Sequence, residues 1–105
     1  MTDAPSADSN DVLAWLQWWY ADQCDGDWEH GEGVAIGTLD NPGWRVEIDI
    51  EGTPLEGRAY ERTKVERTDQ DWLHSWLDGV KWHAAGGPLN LAEALALFQA
   101  WARSD

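Results

Sequence analysis

The apolar residues of this chain recur first at helical spacing, then at every second place, then at helical spacing again. In the run DVLAWLQWWYADQC, Val12, Leu16, Trp19 and Tyr20 share one helical face with Leu13 and Trp15 beside it, the stripe an amphipathic helix lays on a sheet. Ser9 or Asn10 is placed to cap this helix, with Asp11 favourable to its dipole in the first turn. The helix is expected to stop near Cys24, where Asp25-Gly26 offers a residue able to take positive φ. Trp18 lies nearly opposite the stripe, beside Ala14, Ala21 and Asp22, and so meets a second layer of structure or solvent.

Val34 to Leu39 and Trp44 to Ile50 read as a β-hairpin. They are joined by Asn41-Pro42-Gly43, where proline suits the first central place of a type II turn and glycine the second. The second strand sends Trp44, Val46, Ile48 and Ile50 to one side and Arg45, Glu47, Asp49 and Glu51 to the other, so one face is buried and the other wet. That alternation favours an antiparallel sheet with helices on one face over a parallel sheet covered on both. Gly57 to Glu66 is expected to add a third strand whose cations pair across to Glu47, Asp49 and Glu51.

Trp72 to Leu77 and Val80 to Ala84 flank Asp78-Gly79, a two-residue hairpin signal. Trp72, His74 and Trp76 share one face of the first of these strands, and Leu73, Ser75 and Leu77 the other. Asn90 followed by Glu93 makes an Asn-capped variant of the capping box, and Leu91, Ala94, Leu95, Phe98, Trp101 and Ala102 form the stripe of a closing helix. The predicted fold class is α+β: a mainly antiparallel sheet of about five strands, with the N-terminal and C-terminal helices packed on one face. Residues 1–8 lack periodicity and are expected to be a flexible tail, leaving 9–105 as a single domain without internal repeats.

A chain of 105 residues buries roughly 65% of its unfolded surface, enough for a core without staples. Cys24 is the lone cysteine, which excludes an intramolecular disulfide and fits a reducing cytoplasm. The opening MTDAPSADSND has no basic patch followed by an apolar run, and no stretch reads as a membrane helix, so neither export nor membrane insertion is expected. Charge changes the picture most. Twenty Asp and Glu against seven Lys and Arg leave a net charge of −13. Such a field repels nucleic acid and anionic membrane, and speeds encounter with a basic partner by about 10–10³-fold at low salt. Acidity also serves solubility, but nine tryptophans exceed the obvious need of one small core, and Trp is enriched at the energetic centres of interfaces.

Candidate chemistry concentrates between Cys24 and Trp44. Asp25, Asp27, Glu29 and His30 beside Cys24 raise the question of a metal, yet the calcium-loop glycine is one place late and no acid falls at the twelfth position. Zinc lacks a second cysteine or a histidine pair at ligand spacing. No metal and no cofactor is therefore expected. The bland reading has Asp27, Glu29 and His30 tie the end of the first helix to the sheet through hydrogen bonds. Cys24 with His30, His74 and His83 has no spacing that selects a nucleophile and base, and Gly26, Gly31 and Gly33 sit among acids that oppose phosphate, so no catalytic residue is assigned. A carboxylate-dependent hydrolase and an acidic decoy for nucleic-acid-binding proteins remain as alternatives to a dedicated binding protein.

The run WLQWWYADQCDGDWEHGEGVAIGTLDNPGW resembles the immunity protein 53 family of bacterial polymorphic toxin systems: WLQ…WY on the first helix, CDGDWEH at the corner, TLDNPGW at the hairpin. The resemblance is closest over residues 13 to 50. It implies a non-enzymatic antitoxin that binds a cognate toxin domain and protects the producing cell. The resemblance further implies a toxin of the kind that often acts on nucleic acid, and the chain's acidity suits a basic cleft on it; this chain itself is expected to be a cytoplasmic monomer that contacts neither nucleic acid nor membrane. Asp25, Glu29, Glu32 and Asp40 are the candidate contacts, with Trp18 and Trp28 as anchors. Cys24, Asp27, His30, Asn41, Pro42, Gly43 and Trp44 are the structural part of the motif. The alternative interface is the face of Trp72, Trp76 and Trp82.

Overall fold

Asp11 opens the first helix: its Oδ1 accepts the N–H of Ala14 at 2.9 Å, supplying the cap expected of Ser9 or Asn10. The computed structural model describes residues 11–104, so the expected tail and those two residues lie outside the described residues. The chain then runs α1 (Val12–Gln23), α2 (Trp28–Gly31), β1 (Val34–Leu39), β2 (Gly43–Asp49), β3 (Thr63–Glu66), β4 (Trp72–Leu77), β5 (Lys81–Gly86) and α3 (Leu91–Arg103). The sheet order is β1-β2-β5-β4-β3, and every neighbouring pair is antiparallel. This is the α+β class predicted, with helices at both ends of the chain.

Register explains which face is covered. Val46, Ala84 and Ser75 lie abreast across β2, β5 and β4, and so do Ile48, Trp82 and Leu77. All but the half-buried Leu77 are buried. Phe98 of α3 meets Trp82 of this face at 5.2 Å between ring centroids, Trp15 of α1 at 6.0 Å and Trp19 at 5.0 Å, so both helices share one side of the sheet. Trp82 is a core residue with 0% exposure. It therefore does not belong to a face with Trp72 and Trp76, which point the other way with His74 and His83. On α1 the buried set is Trp15, Leu16 and Trp19, while Tyr20 is 38% exposed, its ring 5.9 Å from Trp28. The stripe is rotated toward Trp15 because that ring meets Phe98.

Four local readings are corrected. Gly43 does not sit in the turn: it is the first residue of β2, pairs with Leu39, and does not take positive φ. A Cβ there would overlap the Gly86 carbonyl oxygen of β5, so close strand approach requires the glycine. Residues 57–62 do not extend β3. Leu55 is drawn into the core, Trp101 Nε1 donates to Ala59 O at 2.9 Å, and Arg58 Nη1 donates to the carbonyls of Trp101 at 3.0 Å and Ser104 at 2.7 Å, holding this segment against the end of α3. β2 is flanked by β1 and β5, not β3, so the acids expected to face the cations of residues 58–64 pair elsewhere: Glu47 with Arg45 at 3.1 Å, Asp49 with Lys81 at 3.9 Å. Finally, Asn90 caps α3 without a side-chain bond to its backbone. Its Nδ2 bridges Asp71 and Glu93, each at 3.0 Å, and Arg67 bonds the same two carboxylates.

The β4–β5 turn carries an acid-sensitive contact. Asp78 accepts Nε2–H of His83 at 2.7 Å and the N–H groups of Lys81 at 2.8 Å and Val80 at 3.1 Å, and these hold its carboxyl at about 2, with the histidine bond the largest cause. A carboxyl depressed by folding stabilises fully above its unfolded value of about 3.9 and loses that contribution as pH falls through the folded value. Acid titration of stability is thus expected to show Asp78→Asn flatter than the parent protein between pH about 4 and about 2. Parallel curves would show that the contact contributes nothing.

Candidate functional site

The corner between α1 and β1 is built by backbone donors looking for acceptors. After Gln23 the Cys24 N–H bonds the carbonyls of Ala21 at 3.2 Å and Tyr20 at 3.3 Å, and Gly26 takes φ +92°, which turns the chain. Asp25 Oδ1 accepts the N–H groups of Trp28 at 2.9 Å and Asp27 at 3.0 Å at the start of α2, while Glu29 reaches back to the N–H groups of Gly26 at 2.8 Å and Asp25 at 3.0 Å. The Trp28 and Asp27 donors hold the Asp25 carboxyl below its ordinary range. Glu29's own N–H, followed by those of Asp25 and Gly26, does the same for Glu29.

These contacts redistribute the roles expected at the corner. Asp25 and Glu29 supply the ties, whereas Asp27 makes no side-chain bond to cap α2 and His30 contributes its backbone N–H to Asp27 O at 3.1 Å. The link to the sheet comes from Trp28, whose Nε1 donates to Glu51 O at 2.8 Å, and from Asp49, whose Oδ2 accepts the Gly33 N–H at 2.8 Å. Trp28 is 8% exposed and lies edge-on to Trp19 at 6.3 Å, so most of its ring is core. Cys24 is half-buried, its Sγ 3.3 Å from Tyr20 O.

The corner leaves open to solvent an anionic depression of about 570 Å³, lined by Asp25, Asp27, Glu32 and Glu51 together with Trp28, His30, Gly31 and Gly52. No lysine or arginine is among its lining residues. Glu51 is absent from the candidate contacts predicted at this corner, although the hairpin itself holds the signal: antiparallel pairing sets Val34 opposite Ile48, so the residues after β2 must lie beside those before β1. Asp40 is not in this depression. It sits in the turn at the other end of the six-residue β1, roughly 20 Å away by strand rise. Trp18 is half-buried and lines a separate cleft of about 320 Å³ with Asp22, Pro54, Leu55, Arg58 and Ala102, between α1, α3 and the loop that also carries Glu51. Asn41 and Pro42 are exposed in the β1–β2 turn, and Trp44 Nε1 donates to Pro88 O at 2.9 Å.

The open face of the sheet differs in kind. Trp76 lies flat on His83, 5.1 Å between centroids with 7° between planes, the Arg62 guanidinium stands 5.5 Å from the Trp76 ring centre, and Trp72 meets His74 edge-on. Arg45, Lys64 and Lys81 share this face by register with Glu47, Asp49 and Glu66. Aromatics and charges of both signs thus gather here, whereas the corner depression is lined by carboxylates without lysine or arginine. Among the described residues no three His, Cys, Asp or Glu side chains are grouped to hold a metal, and no helix is long and apolar enough to cross a membrane.

A family model described as immunity protein 53 matches residues 13–103. No curated protein and no solved structure matches the chain.

Proposed function

The chain belongs to the immunity protein 53 family, and on that premise we propose that it binds and neutralises a cognate, basic toxin domain acting on nucleic acid in the cytoplasm of the producing cell. The observation that carries the electrostatic part is the corner depression, where Asp25, Asp27, Glu32 and Glu51 converge without a lysine or arginine, on a chain of net charge −13. Such a concavity focuses field outward and draws a cationic cleft toward it. Asp25 and Glu29 have a double duty in this reading, since the bonds that shape the corner also favour the charged form of their carboxylates. Trp18, beside the apolar cleft, is the anchor best placed to be covered by a partner approaching the corner. The same field keeps nucleic acid off the chain, which works as a monomeric, stoichiometric plug with no turnover.

Co-expression with the product of the adjacent gene tests this. Growth restored in cells making that product, together with a one-to-one complex on purification, is expected. Equal binding to several unrelated basic proteins would identify a general acidic decoy instead.

A further inference from the structure

The two edges of the sheet are guarded unequally. β3 is four residues long and carries Lys64 and Glu66, the short, charged edge that discourages pairing with another chain. β1 is six residues long, reads Val-Ala-Ile-Gly-Thr-Leu, and has neither a charge nor a proline. Ala35, Ile36 and Thr38 are exposed, Ile36 at 39%. Its backbone is half used. The Asp49 N–H bonds Gly33 O at 3.0 Å, and antiparallel alternation from that pair ties Ala35, Gly37 and Leu39 to β2 while the N–H and C=O groups of Val34, Ile36 and Thr38 point away from the sheet.

We propose that β1 is a docking edge that takes one extended strand from the cationic partner, so that the immunity complex is held by a continued sheet. This deepens the toxin-binding reading and rests on it. Charge selects the occupant. The edge begins at Glu32, on the rim of the acidic depression, and ends at Asp40, so a strand with basic residues at both ends meets a carboxylate at each. A second copy of this chain is the obvious rival. Antiparallel self-pairing centred on Ile36 would set Glu32 of one copy beside Asp40 of the other, twice, between bodies of charge −13 each. Backbone pairing would supply affinity irrespective of side chains, and the acidic ends would supply direction and register.

Amide exchange on the labelled protein, alone and bound to the product of the adjacent gene, decides it. The Val34, Ile36 and Thr38 amides are expected to exchange about tenfold or more slowly in the complex, while Ala35 and Gly37, already bonded to β2, change little. In parallel, Ile36→Pro removes one outward N–H without touching the ladder to β2, and should weaken the complex about tenfold or more, whereas Ile36→Thr, which keeps the donor, should not. Should Ile36→Pro fail to fold, the exchange pattern of the unaltered protein still gives the answer. A complex that forms while these three amides stay unprotected overturns the docking edge and leaves toxin binding intact. Protection that appears in the free protein and rises with its concentration assigns the edge to a second copy, and overturns the proposal. Failure to form any complex removes the toxin reading and the docking edge with it.

Discussion

Phe98→Ala is expected to destabilise the fold by about 3–5 kcal/mol, the range for emptying a large aromatic site in a core. Among the described residues, no other aromatic ring contacts as many rings. Phe98 has 0% exposure and lies within 6.1 Å, centroid to centroid, of Trp15 and Trp19 on α1, Trp82 on β5 and Trp101 on its own helix. Four large rings around one void cannot close it without leaving their rotamers, so relaxation recovers little of the loss. For a domain whose total stability is about 5–15 kcal/mol, such a loss lowers Tm by roughly 15–30 °C. Leu89, 93% exposed, is the matched control, and Leu89→Ala should change little. A denaturant midpoint barely moved by Phe98→Ala would mean that α1 and α3 do not meet over Trp82.

How much of this was legible in the sequence depends on the range of the interaction. The alternation of Val46 and Ile48 with Glu47 and Asp49 is a local pattern, and β2 obeys it, as α3 obeys its helical stripe and β4–β5 the hairpin signal around Gly79. Readings failed where a distant partner outbid a local preference. Gly43 looked like turn chemistry, but the Gly86 carbonyl across the sheet is what excludes a side chain there. Asn90 is the cap residue expected, but its amide nitrogen is held by Asp71 and Glu93 and its side chain makes no bond to the helix backbone. Arg58 looked like a strand residue, but the carbonyls at the end of α3, more than forty residues on, hold it. At the corner, Asp25 and Asp27 are equivalent by composition. Gly26 turns the chain between them with positive φ, and it is Asp25 that faces the N–H groups of Asp27 and Trp28. Family resemblance was legible because its motif spans α1 to β2, yet it says nothing of how a partner would dock.

The second large effect concerns association. If the acidic surface guides a basic toxin, the association rate should fall about 10–10³-fold from low to physiological salt, as the screening length shrinks from about 30 Å at 0.01 M to about 8 Å at 0.15 M. Asp25 and Glu29 are poor probes of this, because their carboxylates also hold the corner. Asp27, Glu32 and Glu51 are the clean ones, and neutralising them should slow encounter with little change in dissociation. Trp18→Ala should do the reverse, speeding dissociation and costing about 2 kcal/mol or more of binding. Should both sets leave binding untouched, the contacts lie elsewhere, on the β1 edge or on the open sheet face around Trp72 and Trp76, with Trp82 excluded by its burial. The central claim is tested most directly by the association rate of the adjacent gene's product with the unaltered chain and with Asp27→Asn/Glu32→Gln/Glu51→Gln, each at low and at physiological salt. The account predicts a fast, salt-sensitive rate for the unaltered chain and a slower, flatter one for the triple variant; an unaltered chain whose association rate ignores salt would contradict it.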